Sequence, residues 1–228
     1  FAGRHGKYST RVWDHTCFTG TDWDDSTHQN GLFRFEGKHW AQDVDKERGN
    51  FDYLMGSDVD VNSPDVRRDL SDWGHWFTDT THCDGFRLDA VKHISASFYH
   101  DWLPDMRAHT GKELFTVGEY WSSDVGALLD YLTAVDCDMS LFDVPLHDHL
   151  HAISRGNGGF DMRHLFDDTL VGCRPQLAVT FVDNHDTQPA QSLESWVDGW
   201  FKAAAYALIL LRAFGYPCVF AGDLFGIP

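Results

Sequence analysis

Short apolar runs, each followed by a stretch with helical spacing, recur along the chain. Residues 84–94 read Asp-Gly-Phe-Arg-Leu-Asp-Ala-Val-Lys-His-Ile. Phe86 and Leu88 alternate with Arg87 and Asp89 at a period of two, which predicts a short strand, and helical spacing begins at Ala90. Similar runs predict strands over residues 114–119, 139–144, 177–182 and 218–221. Ser63-Pro64-Asp65 opens a predicted helix with a Ser cap, a Pro in the first turn and an acid at the positive end of the helix dipole. It continues through Leu70, Trp73 and Phe77. A second helix is predicted from Ser95 to about His109, with Phe98, Trp102 and Met106 on one face. Gly111 stops it, and Pro104 is expected to kink or break it. Further helices are expected over residues 125–132, 161–170 and 200–213. Strands alternating with helices are the rhythm of a parallel sheet. Residues 1–62 lack that rhythm. They are rich in Gly, Asp, Trp and His, with strand-like pieces such as residues 31–35, and read as an irregular insertion.

The length of 228 residues suits one domain or one and a half. Because the chain starts at Phe1 and stops at Pro228, it is expected to be an internal piece of a longer protein. A net charge of −17, from 35 acidic against 18 basic side chains, argues against nucleic acid or an anionic membrane as partner. No run is long and apolar enough to span a bilayer. Cys17, Cys83, Cys137, Cys173 and Cys218 are scattered, with no close pair. They are expected to be free and mostly buried, which favours a reducing compartment.

The chemistry gathers where the strands end. Asp89 lies at the point where a strand gives way to a turn, which in a parallel barrel is the catalytic rim. Arg87, two residues earlier, points to the same side. A cation there favours the ionised carboxylate that a nucleophile needs. An Arg–Asp pair that only fixes the turn is the other reading of this stretch. Leu-Phe-Thr-Val-Gly-Glu-Tyr-Trp over residues 114–121 and Ala-Val-Thr-Phe-Val-Asp-Asn-His-Asp over residues 178–186 are also apolar runs closed by acids, Glu119 and Asp186. Three strands that each deliver an acid at the same end are hard to explain by packing alone.

Taken together, residues 85–94, Gly118-Glu119-Tyr120-Trp121 and Phe181-Val182-Asp183-Asn184-His185-Asp186-Thr187-Gln188-Pro189 resemble the alpha-amylase family, glycoside hydrolase family 13. The likeness is to its liquefying bacterial-type members and their intracellular relatives. Phe142-Asp143-Val144-Pro145-Leu146-His147 extends it over nearly the whole chain. The resemblance implies an α/β fold. Residues 63–228 would be a partial (β/α)8 TIM barrel, about strands 4 to 8 with their helices. Residues 1–62 would be the C-terminal part of the irregular, β-containing domain B inserted before them.

The resemblance also implies an alpha-amylase: retaining endo-hydrolysis of internal α-1,4-glucosidic bonds in starch or glycogen. Asp89 would be the nucleophile and Glu119 the general acid/base, with their carboxyls about 5–5.5 Å apart. Glu119 would be held protonated by a raised pKa. Asp186 would hold sugar hydroxyls and stabilise the transition state. Arg87, Lys92, His93, Trp121 and His185 would line the substrate. Trp121 is expected to stack on a sugar ring, whereas Tyr120 reads equally well as core. Asp52, Asp58 and the backbone carbonyl of His93 would hold a structural calcium completed by residues absent from this chain. Turn-forming Asp is the alternative reading of those positions. One calcium is expected rather than a cluster, because Thr19 and Ala41 stand where relatives carry Asp. A monomer is expected, with the cytoplasm slightly favoured over secretion and the piece inactive alone. Three other readings stay open: a relative that acts on malto-oligosaccharides or transglycosylates, a non-catalytic glucan-binding fragment, and metal-dependent phosphoester hydrolysis.

Overall fold

The computed structural model describes residues 12–48, 56–156 and 158–227. The chain divides into two compact units, one of residues 1–85 and 91–114, the other of residues 86–90 and 115–228.

In the first unit, β1 (Phe18–Asp24) is flanked by β2 (Gln29–Arg34) and β3 (Ser57–Val59), both antiparallel to it. The β1–β2 turn is set by the carboxylate of Asp24, which accepts from the backbone N–H of Ser26 (2.9 Å) and the hydroxyls of Ser26 (2.7 Å) and Thr27 (2.6 Å). Short polar side chains bonded to the backbone just ahead favour such turns. Two helices, α1 (Pro64–Thr81) and α2 (Ala96–Thr110), pack on each other. Ser63 stands at the cap position of α1, but its side chain makes no capping bond. The indole N–H of Trp102 donates to the Leu70 carbonyl at 3.2 Å. Helix α2 runs unbroken through Pro104, contrary to the expected break. The missing N–H costs one bond, but Phe98, Tyr99, Trp102, Leu103 and Met106 are all buried along the helix and hold it together.

The second unit is built on a sheet in which β4 (Gly85–Leu88), β5 (Phe115–Gly118), β6 (Ser140–Phe142), β7 (Ala178–Phe181) and β8 (Tyr216–Cys218) lie in sequence order. The pairs β5–β6, β6–β7 and β7–β8 are parallel. Helices α3 (Val125–Ala134), α4 (Val144–Arg155), α5 (Leu170–Cys173) and α6 (Gly199–Leu210) connect these strands, and α7 (Ala221–Phe225) follows β8. Strands in sequential order with helical crossovers make this a half-barrel of the (β/α)8 type. Leu128, Leu132, Leu141, Leu146, Leu150, Leu170 and Phe181 are fully buried between sheet and helices.

Several elements differ from expectation. The strand predicted to reach Val144 stops at Phe142, and α4 starts at once. Pro145 lies in the first turn of that helix, where its missing N–H costs nothing. Asp143 makes the switch possible. Wholly buried, its carboxylate accepts from the backbone N–H groups of Leu146 (3.1 Å), Leu170 (3.0 Å) and Val171 (2.8 Å), capping α4 and α5 together. Residues 161–170 form a single 3-10 turn (Met162–His164) before α5, not one helix. The last strand spans residues 216–218 instead of 218–221, and residues 221–225 turn helical. The five cysteines are free, but they are not mostly buried. Only Cys17 is, Cys83 is half-buried, and Cys137, Cys173 and Cys218 are exposed. No described helix is long and apolar enough to cross a membrane.

Candidate active site

Arg87 and Asp89 project from the end of β4. Ala90, the next residue, has a φ of +47°. That is a left-handed conformation rarely adopted by a residue with a side chain, and such strain collects at functional sites. The chain turns away here, after Asp89, and the N–H of Ala90 donates to Oε2 of Glu119, 3.3 Å away. The backbone N–H of Glu119 donates to the Leu88 carbonyl at 2.9 Å, which ties the ends of β4 and β5 together.

Arg87 serves both acids. Its Nη1 donates to Oδ1 of Asp89, and its Nη2 lies 3.0 Å from Oε1 of Glu119. The second contact has the distance of an ion pair without the angle of a hydrogen bond, so Oε1 is buried with no hydrogen-bond partner. The two carboxylates live in different surroundings. The side chain of Asp89 is 74% exposed, that of Glu119 10%. Burial pushes the Glu119 carboxyl above the usual glutamate range. The charge of Arg87 and the Ala90 N–H pull it down, while Asp89 and Asp186 stand close enough for their charges to push it further up. A buried carboxyl pushed up by burial beside an exposed carboxyl is the pattern of a general acid next to a second catalytic acid.

Asp186 reaches this rim from the segment after β7. The side-chain oxygen of Asn184 accepts from the N–H groups of Asp186 (2.8 Å) and Thr187 (2.9 Å). The hydroxyl of Thr187 accepts from the Asn184 N–H at 2.9 Å and donates to Asp183 at 3.0 Å. His185 is exposed, with Nε2 3.2 Å from Oδ2 of Asp186. Trp121, two residues beyond Glu119, is half-buried against His147 and Phe181, ring centroids 6.0 and 6.2 Å away. His147 is wholly buried. Its Nδ1–H donates to the Val182 carbonyl at 2.6 Å, and burial pushes its pKa down. Tyr120 is buried against Tyr131, which matches its core reading.

The second unit thus brings Arg87, Asp89, Glu119, His185 and Asp186 to one rim. Lys92, His93 and Asp58 belong to the first unit. Lys92 pairs there with Glu47, and its carbonyl accepts from the Asp45 N–H at 2.9 Å. The Asp58 carboxylate accepts from the hydroxyl of Thr19. Asp52 lies outside the described residues. Among the described residues no group of three or more His, Cys, Asp or Glu gathers as metal donors. Sequence reasoning passes over Ala90, which carries no signal for its φ. It also passes over the role of Asp183, whose partners lie far along the chain.

The alpha-amylase description "Alpha amylase, catalytic domain" matches residues 13–228. The chain is 54% identical to an alpha-amylase of Geobacillus stearothermophilus, over 100% of this chain and 42% of the relative. It is 49% identical to a glucan 1,4-alpha-maltohexaosidase of Bacillus sp. (strain 707), over 100% of this chain and 45% of the relative. It is 46% identical to a cytoplasmic alpha-amylase of Escherichia coli (strain K12), over 99% of this chain and 46% of the relative. The chain therefore spans less than half the length of these curated relatives. Among solved structures, an alpha-amylase from Geobacillus thermoleovorans complexed with acarbose superposes with a TM-score of 0.54 at 25% identity, covering 75% of this chain and 39% of that one. With the acids on one rim of a parallel half-barrel and this match across nearly its full length, the chain belongs to the alpha-amylase family and lies within its catalytic domain.

Proposed function

We propose that the protein carrying this chain is an alpha-amylase that hydrolyses internal α-1,4-glucosidic bonds of starch or glycogen with retention. One observation carries the reading: a buried Glu119 whose Oε1 accepts no hydrogen bond stands beside the exposed Asp89, with the half-buried Asp186 close enough for its charge to act on it. In this scheme Glu119 protonates the glycosidic oxygen while Asp89 attacks the anomeric carbon. The bond to the leaving sugar breaks as the bond to Asp89 forms. Glu119, now ionised, takes a proton from water, and that water releases the sugar from Asp89. Asp186 and His185 hold hydroxyls of the distorted ring, and Trp121 offers an aromatic face to its C–H surface. Lys92 and His93 are assigned to the leaving-group side. Residues 1–62 are read as part of an inserted domain and residues 63–228 as part of the barrel. A structural calcium is assigned to Asp52, Asp58 and the His93 carbonyl, on the strength of hard oxygen donors in irregular chain. The enzyme is taken to act as a monomer. Five cysteines without a disulfide fit a reducing compartment.

A second reading keeps the mechanism and shortens the product. One relative at 49% identity is named a maltohexaosidase, so release of malto-oligosaccharides of fixed length is an alternative specificity. The test is proton NMR of starch digestion by the full-length protein. Initial release of the α-anomer is expected, and initial β-anomer overturns retention. Glu119→Gln is expected to lower kcat by roughly 10²–10⁴-fold. Unchanged hydrolysis in that variant would remove Glu119 as the acid. Absence of hydrolysis in the unmodified protein, with glucan still bound, would leave a binding role.

A further inference from the structure

The second unit holds a charged cluster, almost wholly buried, that the proposed reaction does not use. It joins Asp183, just after β7, to Lys202 on α6 and Asp223 on α7. The side chains of Asp183 and Asp223 are 0% and 2% exposed, that of Lys202 16%. The ammonium of Lys202 lies 2.8 Å from Oδ2 of Asp183, donates also to Oδ1 of Asp223, and sits 3.0 Å above the Trp196 ring centroid. The Tyr206 hydroxyl donates to the other Asp223 oxygen at 2.6 Å and accepts from the Phe220 N–H at 3.3 Å.

Buried charge of this kind is a poor device for stability, since apolar side chains of the same volume often do as well. What it does supply is direction. Asp183 spends its remaining capacity on one segment: its carboxylate accepts from the Thr187 hydroxyl at 3.0 Å and from the Val197 N–H at 3.3 Å. Both ends of the stretch from Thr187 to Val197 are therefore fastened to one carboxylate. The turn that presents His185 and Asp186 hangs from the same Thr187 hydroxyl. Trp196, next to Val197, covers the lysine that anchors that carboxylate.

We propose that Lys202 is a positioning residue for the candidate site: it fixes the Asp183 carboxylate in the orientation that clamps the Asn184–Thr187 turn, and so sets where Asp186 and His185 stand. Asp223 and Tyr206 hold the lysine in place. The inference rests on Asp186 being a site acid, as proposed above.

The test compares the full-length protein with its Lys202→Met, Lys202→Arg and Asp223→Asn variants. It measures kcat and KM on an α-1,4-glucan and amide hydrogen exchange of peptides covering residues 183–197 and 115–121. In Lys202→Met, kcat is expected to fall by roughly 10–100-fold, as for a misplacement on the order of an ångström, with KM changed far less. Exchange is expected to quicken in residues 183–197 and stay unchanged in residues 115–121. Lys202→Arg, which keeps the charge, is expected to recover most of both. Unaltered kcat and unaltered exchange in Lys202→Met overturn the proposal. So does exchange that quickens equally in both peptides, which marks a general loss of stability. If Lys202→Met does not fold, Asp223→Asn decides: the same local pattern at smaller size supports the proposal, and wild-type behaviour overturns it. A wild-type protein that cleaves no glucan would sink the functional reading, while the exchange pattern would still judge the clamp.

Discussion

Nη2 of Arg87 lies 3.0 Å from Oε1 of Glu119 without forming a hydrogen bond to it. The cation therefore acts on this carboxyl through its charge, while that oxygen has no donor bound to it. Its firmer contact goes to Asp89, through Nη1. One guanidinium thus contacts Asp89 directly and restrains the rise that burial imposes on Glu119.

That relationship has a signed consequence for the pH profile. A general acid works only while protonated, so kcat/KM falls on the alkaline side as Glu119 loses its proton. Arg87 is the strongest influence holding the Glu119 pKa down against burial. Arg87→Met is therefore expected to move the alkaline limb to higher pH. It should also lower kcat by about 10²-fold, because both acids lose their shared anchor. The pH dependence of kcat/KM checks this, and an alkaline limb that moves downward contradicts it. The linked stability effect has the same sign. The folded state keeps the Glu119 proton to higher pH than the unfolded chain does. Its contribution is full below the ordinary glutamate range and is lost as pH rises through the folded value. Glu119→Gln should flatten that part of the curve of thermal midpoint against pH.

The strands of the half-barrel are legible because each is an apolar run that stops at an acid or a glycine, and buried parallel strands need such runs. Helix α4 is not, because Pro145 after an apolar run reads as a stop, whereas here it sits in the first turn of a helix. The antiparallel sheet is largely hidden as well. In β2 the side chains of Gln29, Asn30, Leu32 and Arg34 are all exposed, so alternation barely registers. The acids of the candidate site stand out because each closes an apolar run. The φ of Ala90 and the link from Asp183 to Lys202, 19 residues away, depend on tertiary packing that no local pattern records.

Asp143 offers a test of the capping device between α4 and α5. Its carboxylate serves three backbone N–H groups in a fully buried position. Asp143→Ala leaves those donors unsatisfied, at about 1–3 kcal/mol for each buried group. A loss of about 3 kcal/mol or more is expected in urea unfolding. Asp143→Asn keeps one acceptor oxygen and should fall between the two. An Ala variant as stable as the unmodified protein would mean that water reaches these groups.

Gly74 tests the pairing of α1 with α2. A Cβ at this position would lie 2.4 Å from Sδ of Met106 and 2.8 Å from the Trp102 ring. Met106 is fully buried and Trp102 nearly so, which leaves neither much room to retreat. Gly74→Val is expected to destabilise by about 1–3 kcal/mol through overpacking. The cost should appear as a lower thermal midpoint. If the clash is the cause, Gly74→Val combined with Met106→Ala should regain part of the loss, because the two sites share one space.

The calcium assignment can be tested through Thr19 and Asp58, which meet across β1 and β3. The Thr19 hydroxyl donates to the Asp58 carboxylate, and Thr19 is itself buried. If Asp58 is a calcium donor, chelation should lower the thermal midpoint of the full-length protein. Ligand at 100 times its Kd contributes about 2.7 kcal/mol. Asp58→Asn should shrink that response. Thr19→Asp carries the sharper expectation. Without metal, two adjacent carboxylates repel and the variant is less stable than its parent. With calcium, both oxygens serve one cation, so the gap between chelated and calcium-loaded midpoints should widen. A chelator that leaves all three proteins unmoved would return Asp58 to the role of a hydrogen-bonded strand residue.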